Sequence, residues 1–219
     1  MELAVATIVA LLPIINPFST APLFLAITEG DTSAERKDQA RKGVIYMVGI
    51  LIAFLVGGSF IMGFFGLSLP GIRIAGGILV AGVGMRMIYP KDNAGQTPAE
   101  HQESRHKRDV SFTPLAMPSL AGPGAISVTI GLASLAENPV DFAAIIAGIL
   151  VVAAIVFVTL RLATRMVGLL GVTGINAMTK IMGFLILCVG VQFVVNGIIG
   201  VATSPELIGG LLRALDSAR

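Results

Sequence analysis

Four stretches of this chain contain no Asp, Glu, Lys or Arg: Leu3 to Thr28, Val110 to Ala136, Phe142 to Leu160 and Ile181 to Pro205. A fifth, Gly43 to Met85, carries only Arg73. A bilayer span takes about 20 apolar residues, so the five stretches hold six spans, the longest dividing in two. Backbone polar groups in hydrocarbon must be satisfied within the protein, and uniformly apolar runs of this length do that as helices. Composition agrees, because only 13% of the 219 residues are charged, about half the fraction of a soluble domain. An all-α integral membrane protein follows, with the lipid bilayer as its first partner. No nucleic-acid partner is expected.

The spans are placed near residues 3–28, 43–65, 69–88, 112–135, 142–161 and 181–202, in one membrane domain covering 1–219. The first begins Met1-Glu2, without the basic segment of a secretory signal, and is read as retained. The lone Cys188 falls deep in the last span and rules out a disulfide framework. The second and third spans part at Gly66-Leu67-Ser68-Leu69-Pro70-Gly71, a run of helix breakers.

The polar connections differ in basic residues. The first carries Arg36, Lys37, Arg41 and Lys42, the third (about 89–111) Lys91, Arg105, Lys107 and Arg108, and the fifth Arg165 and Lys180. The fourth, Glu137 to Asp141, has none. Cytoplasmic loops hold the Lys/Arg excess, so the odd connections are expected in the cytoplasm and both termini outside. Arg213 and Arg219 weigh slightly the other way.

The two halves resemble each other. Pro17-Phe18-Ser19-Thr20-Ala21-Pro22 in span one compares with Pro118-Ser119-Leu120-Ala121-Gly122-Pro123 in span four. Span three has Arg73-Ile74-Ala75-Gly76 where span six has Lys180-Ile181-Met182-Gly183. Three spans per half is an odd number, so the expected architecture is two inverted three-helix repeats, about 3–88 and 112–202, each with a broken first helix. Paired Gly/Pro-interrupted spans point to a transporter's binding site.

At the first break, Pro17 removes an N–H and pushes Asn16 out of helical dihedrals. Pro22 suits the first turn of a new helix, with Ser19 or Thr20 as its cap. A half-helix ending near Asn16 and another starting near Thr20 are expected. The new start would offer N–H groups to a carboxylate and the preceding end carbonyls to an ammonium or cation, which suits a small zwitterion. The plainer alternative is a proline kink repaired by neighbouring helices. At the second break, Gly122 and Gly124 would let backbone approach a ligand beside Pro118 and Ser119. Gln192 and Asn196, four apart on span six, share a face; they either face the cavity or bond a neighbouring helix. Gly183, Gly190 and Gly197, seven apart, read as a close-packing face. Arg73, Arg86, Arg161 and Lys180 read as snorkelling span ends, and His101 and His106 with Glu100 and Glu103 as a solvated linker.

No Asp, Glu or His falls within a span, so no buried carboxylate offers a proton relay. No catalytic constellation appears either, and no enzyme, cofactor or metal is expected. Ion coupling, through H+ or Na+, would rest on backbone carbonyls and Asn, Ser or Thr oxygens.

At Asn16-Pro17-Phe18-Ser19-Thr20-Ala21-Pro22-Leu23-Phe24-Leu25, Pro70-Gly71-Ile72-Arg73-Ile74-Ala75-Gly76-Gly77 and Pro114-Leu115-Ala116-Met117-Pro118-Ser119-Leu120-Ala121-Gly122-Pro123-Gly124, the chain resembles the MarC family. Met182-Gly183-Phe184-Leu185 and Val191-Gln192-Phe193-Val194-Val195-Asn196-Gly197-Ile198 extend the likeness over nearly the whole chain. The resemblance implies a six-span protein of the prokaryotic inner membrane and, for some members, transport of small neutral amino acids such as glycine and alanine. A transporter of that class, working by alternating access, is therefore the function expected, and the reading allows a homo-oligomer. An exporter of drugs or other small metabolites would want an aromatic-lined pocket, whereas the chain has no Trp and only Tyr46 and Tyr89. A non-transporting membrane protein would hold both breaks sealed by packing.

Overall fold

Helix formation begins at the second residue and is interrupted where the prolines dictate. In the computed structural model, which describes residues 2–89, 109–136, 138–204 and 209, α1 (Glu2–Ile15) and α2 (Pro17–Ile27) meet at a 45° bend on Asn16. Helix α3 (Ser33–Phe65) and helix α4 (Leu69–Ile88) follow. A π-type segment, Ser111–Leu120, then meets α5 (Pro123–Ala133) at 62°. Helices α6 (Pro139–Arg161) and α7 (Ala163–Ala202) complete the bundle. The described residues contain no strand. His101, His106, Glu100, Glu103, Arg213 and Arg219, with most of the third connection, lie outside the described residues.

Two connections differ from the sequence reading. The first, around 29–42, is mostly helix, because Thr32 and Glu35 form a reciprocal capping box that starts α3 ten residues before the apolar run. The fifth, expected as a polar connection bearing Arg165 and Lys180, is also helical, since no proline interrupts 163–180. Only Gly171, at φ 63, breaks it, ahead of an apolar stretch Thr173–Ala202. Helix α3 ends at Gly66 (φ 64), a left-handed conformation that glycine adopts at little cost.

Small residues set the packing. Helix α4 lies along α7 with Gly77 against Gly190 and Gly84 against Gly183, while Gly197 sits on Pro70 and Ile74. A Cβ on Gly190 would come within 2.4 Å of the Ala81 nitrogen and 2.7 Å of the Gly77 carbonyl. The seven-residue glycine repeat is therefore a close-packing face, as expected, and closeness of this kind is how membrane helices associate.

The bent pairs run the height of the bundle. Leu115 packs on Gly43 of α3 and Ile130 on Gly58, fifteen residues further along that helix, or about 22 Å at 1.5 Å per residue. Similarly, Ala4 and Thr7 pack on Gly148 of α6, and Phe24 and Leu25 share a cleft with Leu160 and Arg161 at its other end. Among the described residues four helices are long and apolar enough to cross a membrane, and counting each bent pair as one span raises the number to six. Leu11, Ile15, Phe24, Met47, Leu115 and Ile149 are buried between them. Val56, Phe60, Phe64 and Ile78 stand exposed on the outside, an arrangement suited to lipid rather than water.

The basic connections gather at one end. Lys42 pairs with Asp109 at 3.4 Å and with Asp38 at 2.8 Å, and the Gln39 side chain accepts from the Val110 N–H. Hydrogen bonds from Ser111 hold the Asp109 carboxyl below its usual range, while Asp38 raises Lys42. Arg36 and Lys37 share a cleft with Arg161, which brings the fifth connection to the same end.

Candidate functional site: two broken spans

Of the predicted site residues, Asn16 departs most from ordinary backbone. It is the only residue between α1 and α2, takes φ 43 and ψ 75, and is 3% exposed. A non-glycine residue in the left-handed region is uncommon, and Asn is among the few that tolerate it. Its N–H donates to the Leu12 carbonyl at 3.0 Å, so α1 closes on it. Its side-chain oxygen accepts from the Ser19 N–H at 3.3 Å. Its carbonyl accepts from the Thr20 N–H and hydroxyl, each at 3.1 Å. The amide nitrogen points the other way, toward the Met87 sulfur at 3.7 Å.

This geometry corrects three details. Asn16, not Ser19 or Thr20, caps the second half-helix. The break is one residue long, because Pro17 already sits at the first helical position, which its fixed φ favours. The N–H groups expected to await a carboxylate are largely consumed: Pro17 has none, and those of Ser19 and Thr20 go to Asn16. Thr20 is buried and Ser19 partly so.

The second break is longer. Thr113 (φ −126, ψ 123) and Met117 (φ −127, ψ 125) are extended, and each precedes a proline through a cis peptide bond. The Ser119 hydroxyl donates to the Pro114 carbonyl at 2.8 Å, and the Ala121 N–H to the Ala116 carbonyl at 2.8 Å. Gly122 makes room for its own chain, since a Cβ there would lie 2.6 Å from the Pro118 carbonyl. Gly124 makes room for Val80 and Ile14. Ile14 lies two residues before Asn16, so the two breaks are neighbours.

They differ in one respect that matters chemically. Where Asn16 caps α2, Gly122 has no side chain with which to cap α5, and Pro123 has no N–H to contribute. The next amides, Gly124 and Ala125, are both buried and open the helix without a side-chain cap. The positive end of a helix dipole lies there.

Gln192 and Asn196 do share a face, with the Gln192 amide donating to the Asn196 side-chain oxygen at 2.8 Å, but both are exposed. They stand beside exposed Val191, Val195 and Ile199; Pro118 is exposed as well. The double variant Gln192→Leu/Asn196→Leu is accordingly expected to leave the stability of the bundle within about 0.5 kcal/mol of wild type, as surface substitutions away from special features do. Thermal melting in detergent checks this. The Cys188 thiol is likewise exposed. No cluster of potential metal ligands occurs among the described residues.

Sequence reasoning missed Thr113-Pro114 and Met87. The Thr-Pro dipeptide was a usable signal of a second extended residue; nothing local marks Met87, which α4 brings to Asn16 from 71 positions away.

Beside the first break lies a cavity of about 280 Å³, lined by apolar residues that include Leu12, Pro17, Phe18 and Met182.

A family model described as MarC family integral membrane protein matches residues 1–202. The inner membrane protein MarC of Citrobacter koseri is 38% identical over 203 residues, covering 88% of this chain and 92% of its own length. Its namesakes in Escherichia coli O1:K1 and Salmonella paratyphi A are 39% and 38% identical over the same shares. No solved structure matches significantly.

Proposed function

The chain belongs to the MarC family of integral membrane proteins, and from that membership we propose that it is a secondary transporter of small neutral amino acids, of the glycine and alanine class, working by alternating access around its two broken spans. The observation that carries this reading is the buried, left-handed Asn16 next to a second break whose helix start lacks a side-chain cap. Non-helical backbone at membrane depth persists only inside protein or against a water-filled cavity.

The uncapped amides of Gly124 and Ala125 suit the substrate carboxylate, and the carbonyls ending α1 and those around the extended Thr113 and Met117 suit its ammonium. This assigns the anion to α5 rather than α2. Coupling to H+ or Na+ would draw on the same carbonyls with Asn16, Ser119 and Thr20.

Alternating access is easiest for two like halves, and we read them as inverted repeats. The packing supports that reading, because each broken span lies against the middle helix of the other half, α3 or α6, and the third helices, α4 and α7, pair with each other. The basic end of the bundle supports a cytoplasmic face there, with both termini outside, and the relatives named as inner membrane proteins support a prokaryotic inner membrane.

The second reading, an exporter of drugs or other small metabolites, is favoured by the apolar cavity at Pro17 and Phe18. Uptake or counterflow of labelled glycine and alanine in liposomes separates the two. Wild type is expected to accumulate both, and Gly122→Val to lose at least about tenfold (1.4 kcal/mol) through collision of its side chain with the Pro118 carbonyl. Amino-acid uptake no greater than in empty liposomes, together with efflux of a lipophilic dye, would favour the exporter instead.

A further inference from the structure

At the basic end of the bundle, a cleft of about 260 Å³ lies between α2, the start of α3 and the end of α6. Its rim holds Arg36, Lys37 and Arg161 with the hydroxyl residues Ser33 and Thr164, and its floor is apolar, formed by Phe24, Leu25 and Leu160. No acidic side chain lines it among the described residues. Glu35, one position away, is turned to the Thr32 hydroxyl and N–H. Arg36 is held in place, its Nε donating to the Thr28 carbonyl at 3.2 Å. On its other side Arg161 borders a second cleft, with Arg165, Phe157 and Leu162. Snorkelling accounts for isolated cations at span ends; it does not account for three from two helices converging with two hydroxyl residues on one concave site.

We propose that this cleft binds a phosphate-bearing anion, with the phosphodiester of an anionic lipid headgroup as the chemistry it fits best. Arginine forks match phosphate oxygens two at a time, hydroxyls add neutral donors, and an apolar floor beneath the cations accepts the first part of an acyl chain. Basic pockets between membrane helices on the cytoplasmic side bind such headgroups. The site is separate from the two breaks and does not depend on the transport reading. Occupancy would tie α2 and α3 to α6, stabilising that end of the bundle.

The test titrates the purified protein with phosphatidylglycerol, phosphatidylcholine and inorganic phosphate, reading bound species by native mass spectrometry and melting temperature in detergent. Phosphatidylglycerol is expected to be retained and to raise the melting temperature, phosphatidylcholine not. Lys37→Gln and Arg161→Gln should each weaken retention about fivefold, the worth of one surface cation, while Arg86→Gln on α4 should not. Stabilisation by inorganic phosphate that the same two variants weaken would support the site with a soluble phosphate as its source. Equal retention of the two lipids without a phosphate effect would overturn the proposal, as would an Arg86→Gln loss matching the cleft variants. Lys37 is exposed, so its variant folds whatever becomes of Arg161→Gln.

Discussion

For the transport proposed above, Asn16→Ala is expected to reduce glycine and alanine uptake about 30- to 100-fold while the protein still inserts and purifies as a monodisperse species. Alanine removes the side-chain oxygen that caps α2, a loss of about 1 kcal/mol. It also places a Cβ in the left-handed region without the local hydrogen bond that makes Asn tolerable there, at about 1 to 1.7 kcal/mol more. A barrier raised by 2 to 2.7 kcal/mol corresponds to the stated range. The backbone would relax toward another route past Pro17, moving the carbonyls of Ile15 and Asn16 that Thr20 now engages. Asn16→Gly separates backbone from amide. Glycine adopts φ 43 freely and costs the cap only a few tenths of a kcal/mol, so it should keep uptake within about threefold if geometry is what transport needs. A glycine variant as inactive as alanine would mean that the amide itself contacts substrate. Wild-type uptake by the alanine variant would remove the first break from the mechanism.

Gly190→Val is expected to prevent a stable bundle. The new Cβ would sit 2.4 Å from the Ala81 nitrogen and 2.7 Å from the Gly77 carbonyl, and both are helix backbone atoms, which cannot turn aside as a flexible side chain can. Helices α4 and α7 would have to separate along their contact, giving up Gly84 against Gly183 and Gly197 against Pro70 as well. Overpacking of this kind costs about 3 kcal/mol or more, a large part of the stability a protein of this size has. Thermal melting in detergent and the fraction eluting as a single species measure it. Gly49→Val on α3, where nothing lies within 4 Å, controls for the loss of glycine itself and should melt as wild type. Unchanged melting of the Gly190 variant would show that the two helices are not held as described.

The spans were legible because hydrophobic length is a one-dimensional property. The third span was read at 69–88 and forms Leu69–Ile88; the broken spans were read from Pro17 and Pro118 and bend near them. The glycine repeat on α7 was legible for a similar reason, since a seven-residue period marks one face whatever lies against it. Helix starts were less so. Thr32 with Glu35 carried a capping box in plain view, yet the charged residues after it read as a loop, because on a membrane protein charge suggests the end of a span rather than the beginning of a helix.

What the sequence by itself determined is where the chain can enter hydrocarbon and where a helix cannot continue. Both follow from properties each residue carries alone, namely side-chain polarity and the locked ring of proline. The tertiary structure decided which polar groups are used up and which stay open. The helix start after Asn16 looked like free N–H groups with Ser19 or Thr20 as the cap, until Asn16 turned left-handed and accepted from the Ser19 and Thr20 N–H groups itself. Gln192 and Asn196 looked equally suited to a cavity or a neighbouring helix until the pairing of α4 with α7 left them exposed. Facing direction belongs to helices far apart in the chain, so no local pattern could have assigned it, whereas the Asn16 bonds span only three and four residues and waited on the conformation of its backbone.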